Sequence, residues 1–346
     1  MSVRPADSKK QVVQASWYRE LSKYEKSDTR KAVGQIVNTF VPYIGLWIAM
    51  VWIVKTHMPL WYLCPLLVLA AGLTVRIFIL QHDCGHGSFF ASHKANRILG
   101  YICGVLTFTP FDDWKHEHAA HHAGAQDLER RGIGDISTLT VEEYQNSSKR
   151  KQLSYRAFRN PFVLFVLGPT IQFVIVHRFA HKRAGKRESQ SVRITNIAIA
   201  AVILLASVTI GPLTYLLIQL PIIAMAASLG VWLFYVQHQY DDVYWEHHQE
   251  WDPIRAALEG SSYYRLPKIL QWFSGNIGLH HIHHLRPRIP NYNLQQCYDD
   301  VPQLQQARTL TLFDSFRCMG LHLWDEKTRQ MVSFRALQRQ QQQTSN

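Results

Sequence analysis

The chain has 346 residues, 37 Lys plus Arg against 25 Asp plus Glu for a net charge of +12, and 47% hydrophobic residues with only 18% charged. Charge is absent from long blocks and crowded between them: no Asp, Glu, Lys or Arg occurs from Ile194 to Tyr240. At about 1.5 Å of helix rise per residue that run is roughly 70 Å long, enough for two crossings of a hydrocarbon core about 30 Å thick, which excludes an ordinary soluble domain.

Residues 1–31 are polar and basic and show no cleavable-signal pattern, so the first apolar run is expected to stay as an anchor. Trp17, Leu21 and Tyr24 recur there at helical spacing among Arg19, Glu20, Lys23 and Lys26, the pattern of an amphipathic helix at a membrane surface. Apolar runs follow at 33–54, 59–80, 98–111, 160–177, 194–210 and 213–236. The run 98–111 is short for a span and reads as re-entrant or interfacial. The run 160–177 has Lys149, Arg150, Lys151, Arg156 and Arg159 before it and Arg178, Lys182, Arg183, Lys186 and Arg187 after it. Lys- and Arg-rich short loops stay in the cytoplasm, so this run is expected to lie in the membrane surface.

Four crossings remain, in two hairpins with minimal outer turns at Thr56–Pro59 and Gly211-Pro212. Arg76, the one charge within a span, is expected to snorkel toward the interface. The chain then reads as one all-α integral membrane domain with four transmembrane helices, interfacial helices and a cytoplasmic histidine-rich cap. Its parts are a cytoplasmic segment 1–31, a first hairpin 33–80, a cytoplasmic and interfacial region 81–193, a second hairpin 194–236 and a cytoplasmic part 237–346. Both termini are expected in the cytoplasm, and the Gln-rich tail Gln338–Asn346 is expected to lack fixed structure. Basic residues are not interleaved with aromatics on a soluble domain, so no nucleic-acid partner is expected.

The five cysteines form no Cys-x-x-Cys pair and suggest neither a disulfide framework nor a zinc-thiolate site, whereas most of the 18 histidines fall in three tight polar clusters just outside the apolar runs. His82-Asp83-Cys84-Gly85-His86 puts two imidazoles on one helix face at i, i+4. His118-Ala119-Ala120-His121-His122 repeats that face, while adjacent His121 and His122 point about 100° apart and could serve two neighbouring metals. His280-His281-Ile282-His283-His284 repeats the H-x-x-H-H spacing, with His281 off that face as bystander or outer support. His238 adds an imidazole where the last span ends, on the same side by parity. An isolated histidine such as His57, His93, His177, His181, His247, His248 or His322 is an ordinary surface, capping or interfacial residue. Eight or nine neutral imidazoles exceed one zinc and suit two metal ions with open positions. Imidazole alone does not choose the metal, and iron is favoured because no carboxylate-bridged hydrolytic site is visible.

At these residues the chain resembles the membrane-bound fatty acid desaturases, specifically acyl-lipid enzymes of the Δ12 and ω-3 type. The motifs are His82-Asp83-Cys84-Gly85-His86 with Gly87-Ser88-Phe89, Trp114-Lys115 leading into His118-x-x-His121-His122, and His280-x-x-His283-His284-Leu285, across residues 15–310. The resemblance implies two non-haem irons held by His82, His86, His118, His121, His122, His280, His283 and His284, with His238 as the additional ligand. The choice of His280 over His281 rests on spacing alone. It also implies O2 as co-substrate and insertion of a cis double bond into a membrane-lipid acyl chain, with Δ12-like regiochemistry. No His-Pro-Gly-Gly haem motif is present, so a separate donor of ferredoxin or cytochrome b5 type is expected to dock on the basic face.

Asp83, Asp113, Glu117 and Asp241 are the carboxylates expected to accept from ligand N–H groups, with Asp112, Asp242 and Glu246 nearby. Arg286 and Arg288 could contact a phosphate or the electron donor. A fatty acyl hydroxylase, an acetylenase or a carotenoid hydroxylase or ketolase would use the same boxes. A metal transporter or sensor would instead place polar ligands inside its spans.

Overall fold

The computed structural model describes residues 17–181 and 183–344. Helix α1 (Thr29–Lys55) starts where the Asp28 carboxylate accepts from the backbone N–H groups of Arg30 at 2.8 Å and Lys31 at 3.2 Å. A 3-10 turn, Leu60–Tyr62, leads into α2 (Leu63–His86), which Gly87 stops in the left-handed conformation at φ 69°. An amphipathic helix α3 (His93–Leu106) and the histidine-rich helix α4 (Phe111–Gly124) follow.

Helix α5 (Lys149–Phe158) precedes a broken helical segment, Val163–Arg178, that opens with a π turn at Val163–Leu167 and continues as α6 (Gly168–Val174). The second long pair is α7 (Lys186–Thr209) and α8 (Pro212–His238), joined through Gly211 at φ 88°. Later helices include α9 (His280–Leu285), α10 (Asn291–Asp300) and α11 (Phe334–Thr344), with further helices of five to seven residues at Val141–Gln145, Pro253–Leu258, Lys268–Phe273 and Leu312–Cys318. Five short strands are β1 (Leu139–Thr140), β2 (Tyr263–Arg265), β3 (Thr309–Thr311), β4 (Leu323–Asp325) and β5 (Gln330–Val332). Their sheets run β1-β4-β5, parallel then antiparallel, and β2-β3, parallel. The expected all-α fold thus carries two small sheets, both in the cap.

Four helical segments are long and apolar enough to cross a membrane: Thr29–Lys55, Leu60–His86, Lys186–Thr209 and Pro212–His238. Their outer faces are exposed apolar side chains, among them Val41, Ile48, Leu204 and Val208, as a lipid solvent requires. Helix α2 is the central one, more than half buried and packed on α1, α3 and α8. Between these helices Met50, Ile77, Leu80, Ile218 and Ile222 form a continuous core. The segments Lys149–Phe158 and Val163–Arg178 meet at 62°, a bend that by length and composition also fits one broken span. The run expected at 98–111 is helical at His93–Leu106 and is not among the four long segments.

Three expectations are corrected. Arg76 does not snorkel: it is buried, its Nε donates to Thr39 Oγ1 at 3.0 Å, its Nη1 to the Trp272 carbonyl, and its guanidinium lies 4.2 Å from the Trp272 ring centre. A charge inside a helical bundle is tolerated when its donors are paired in this way. Trp17, Leu21 and Tyr24 face protein instead of lipid, packing on Leu279, Ile282 and Leu294. Tyr24 donates to Asp300 at 2.8 Å. Gln338 and the residues after it continue α11 through Thr344 because Leu337 and Phe334 pack on Tyr144 and Tyr155. The basic residues Arg4, Lys9 and Lys10 lie outside the described residues.

Candidate metal centre

The last turn of α2 carries His82 and His86, α4 carries His118, His121 and His122, the end of α8 carries His238, and α9 carries His280, His283 and His284. All nine converge in two groups, His82, His86, His118, His122 and His283 in the first and His121, His238, His280 and His284 in the second. Within each group the candidate ligand nitrogens lie within 4.8 Å of one another. In the first group the Nε2 atoms of His82 and His283 are 3.0 Å apart, those of His86 and His118 3.0 Å, and those of His122 and His283 2.9 Å. In the second, His238 and His280 meet at 2.9 Å and His280 and His284 at 3.1 Å.

The two H-x-x-H-H boxes are wired reciprocally. In α4 the i, i+4 pair His118 and His122 serves the first group and His121 the second, whereas in α9 the pair His280 and His284 serves the second and His283 the first. The angular offset expected between His121 and His122 is therefore the physical reason that one helix feeds both groups. The rings of His122 and His284 stack at 4.2 Å where the groups touch.

The donor set fits two metal ions. Imidazole nitrogens bound at about 2.0–2.1 Å stand roughly 2.9–3.4 Å apart when adjacent around one ion, and the closest pairs in both groups stand 2.9–3.1 Å apart. Both ring nitrogens of buried His121 lack a hydrogen-bond partner within the protein, a costly arrangement that a metal on one of them relieves. Burial, and then the neighbouring imidazoles, hold His118, His121, His122, His280, His283 and His284 well below the usual imidazole pKa. They are neutral near pH 7, the protonation state a metal requires.

Outer contacts fix several rings. Asp83 Oδ1 lies 3.2 Å from His82 Nδ1, and Asp83 Oδ2 accepts from the Asn291 backbone N–H at 2.6 Å and from Asn291 Nδ2 at 2.9 Å. His238 Nδ1 donates to the Gly260 carbonyl at 3.1 Å and lies 3.1 Å from the Gln126 amide. Gln126 Oε1 has no other partner, so turning that amide over makes it a second acceptor for His238. Neither Gln126 nor Gly260 belongs to a histidine motif, and no local spacing in the sequence marks them.

The remaining carboxylates do not behave as expected. Asp113 accepts from His181 Nδ1 at 2.8 Å instead of from a histidine of either group. Asp241 is exposed and hydrogen-bonds none of the nine histidines through its side chain among the described residues. Glu117 lines the adjoining cavity, with burial raising its pKa. Arg286 is engaged within the protein, 3.2 Å from Glu25 and stacked at 4.1 Å on Tyr18. His281 lies outside both groups with its Nε2 donating to the Leu304 carbonyl at 3.0 Å, so His280 is the member that converges.

His82, His118 and His280 open onto a cavity of about 510 Å³ that runs between α2, α8 and the broken segment Val163–Arg178. Its wall is mostly apolar, with Val75, Phe78 and Ile79 from α2, Ile223 and Ala227 from α8, and Leu164 and Phe173 from the broken segment. Trp114 stacks on His118 at 4.6 Å and meets Phe78 edge-on, closing the wall beside the histidines. An apolar tunnel with metal-binding groups on one side can hold an unbranched hydrocarbon chain out of water.

The family model described as "Fatty acid desaturase" matches residues 57–316. A "Fatty acid desaturase" of Bacillus subtilis (strain 168) is 44% identical over 321 residues, covering 92% of this chain and 90% of that protein. The "sn-1 oleoyl-lipid 12-desaturase" of Anabaena variabilis is 25% identical over 263 residues, 70% of each chain. The "Omega-3 fatty acid desaturase, endoplasmic reticulum" of Vigna radiata var. radiata is 29% identical over 253 residues, 68% of this chain and 63% of that one.

Proposed function

The chain belongs to the fatty acid desaturase family and is an oxidoreductase, and we propose that it uses two non-haem irons and O2 to insert a cis double bond into an acyl chain of a membrane lipid. The observation that carries this reading is the pair of histidine groups opening directly onto the mostly apolar cavity. The nine histidines are the ligands in this proposal. Electrons come from a separate donor of ferredoxin or cytochrome b5 type, and the reaction balances as one –CH2–CH2– unit, O2, two electrons and two protons giving –CH=CH– and two waters. The preferred position is Δ12-like, supported by the relatives named 12-desaturases. The metal groups and both termini face the cytoplasm, a reading supported by the basic residues flanking 160–177.

Unactivated methylenes have no acidic proton, so side-chain acid–base chemistry cannot remove their hydrogens; a bound redox-active metal pair supplies the oxygen-dependent oxidation. The protein's own part is positional. His82, His118 and His280 set the side of the tunnel at which reaction occurs, and Phe78, Trp114 and Phe234 keep water from it. Asp83 and the Gly260 carbonyl hold the Nδ1 protons of His82 and His238, leaving each Nε2 lone pair for metal.

The test is the fatty-acid profile, with double-bond positions, of a host lacking polyunsaturated lipids that expresses the chain or its His121→Ala variant. A new double bond that appears only with the intact chain is expected, and its position reads the regiochemistry. A hydroxylated product, or no product from iron-loaded protein with a working donor, would overturn the reading.

A further inference from the structure

Helix α8 presents a regular face to the cavity: Ile223, Ala226, Ala227, Gly230, Phe234 and Gln237 all line it, at the three- and four-residue steps of one helix side. Bulk along this face is uneven. Phe234 and Gln237 occupy the turn nearest His238, Val231 and Leu233 also line the cavity, and Ala226 packs on Ala71 and Val75 of α2, whereas Gly230 fronts open space. Gly230 lies eight residues before His238, about 12 Å along the helix axis, and Ala226 twelve residues before it, about 18 Å. A Cβ built on Gly230 meets no atom within 4 Å. Helix packing therefore does not call for a glycine here, and a glycine inside a helix carries a propensity cost. What the missing side chain provides is lumen, in the cavity that Val75 and Phe78 of α2 also line.

We propose that Gly230, with Ala226 one turn deeper, determines how much of the acyl chain beyond the reacting carbons the tunnel admits, and so sets chain-length preference and double-bond position. The proposal rests on the desaturase reading of the same site. A leucine at position 230 places four carbons in the path of the chain at about 12 Å, and a leucine at 226 does so about 6 Å farther on. Truncation is therefore graded by position along one helix face. Each methylene denied its place in an apolar pocket lowers selection for that chain roughly tenfold or more.

The full chain is expressed in membranes of a host supplied with saturated acyl chains of several lengths, and products are resolved by length and double-bond position. Gly230→Leu is expected to restrict products to shorter chains or move the double bond toward the methyl end. Ala226→Leu does the same to a smaller extent, and Leu229→Phe, on the exposed side of α8, leaves the profile of the unaltered chain. An active Gly230→Leu with an unchanged distribution overturns the proposal. So does a uniform loss over all lengths in both lumen variants at normal metal content. If Gly230→Leu fails to accumulate, Gly230→Ala and Gly230→Val are read by the same criterion, and absence of a graded shift between them overturns it. A chain that oxidises acyl groups without forming double bonds would refute the desaturase reading, while the length distribution of whatever product forms still decides Gly230.

Discussion

Replacing Asp83 by alanine removes the acceptor for three donors at once: His82 Nδ1, the Asn291 backbone N–H and Asn291 Nδ2. The carboxylate is buried, so water does not replace it freely. Losing an outer carboxylate typically lowers metal affinity by about 10–100-fold, or about 1.4–2.7 kcal/mol. The two Asn291 donors left unpaired cost about 1–3 kcal/mol each in stability. Because His82 belongs only to the first group, metal should be lost there while His121, His238, His280 and His284 keep theirs. Metal per chain measured by elemental analysis at limiting iron should fall toward half, with a lower melting temperature. Asn291→Ala, which spares the carboxylate and its bond to the backbone, should lower melting temperature and retain most of the metal. Asp83→Ala protein that holds metal as the unaltered chain does across the titration would refute the argument.

Further outcomes follow from the same geometry. His121→Ala and His122→Ala, though adjacent, each remove a nitrogen from a different group, so both should abolish desaturation and the metal spectroscopic signature that survives should differ between them. Gly104→Ala brings a Cβ to 2.5 Å from the Thr109 carbonyl oxygen, a backbone atom, and should destabilise the chain by about 1–3 kcal/mol in thermal unfolding. Burial raises the Asp135 pKa to about 6, so between the ordinary carboxylate value and 6 the native state binds more protons than the unfolded one and stability falls as pH rises. Asp135→Asn should therefore gain melting temperature over the unaltered chain from pH 4 to pH 7, and parallel curves would refute the assignment.

Much of the site was legible because histidine spacing is a local property. The i, i+4 repeats on α2, α4 and α9 survive folding unchanged, and the offset of His121 from His122 is visible before any tertiary contact is known. Spacing alone favoured His280 over His281, and the fold separates them by placing His280 in the second group and turning His281 to the Leu304 carbonyl. Gln126 and Gly260 were invisible because they reach His238 through loops with no repeat. Amphipathic spacing at Trp17, Leu21 and Tyr24 identified a buried face but not what buries it, since lipid and the side of a neighbouring helix reward the same pattern. Arg76 was misjudged for a similar reason: the acceptors that allow its burial come from Thr39 and Trp272, 37 and 196 residues away.

Helices α2 and α8 pass from the apolar region into the histidine groups without a loop between, ending on His86 and His238. The positions of the two histidine groups are therefore coupled directly to the course of these two long helices. A change in the angle of either helix reaches its histidines through unbroken helical backbone, with no intervening loop to absorb it.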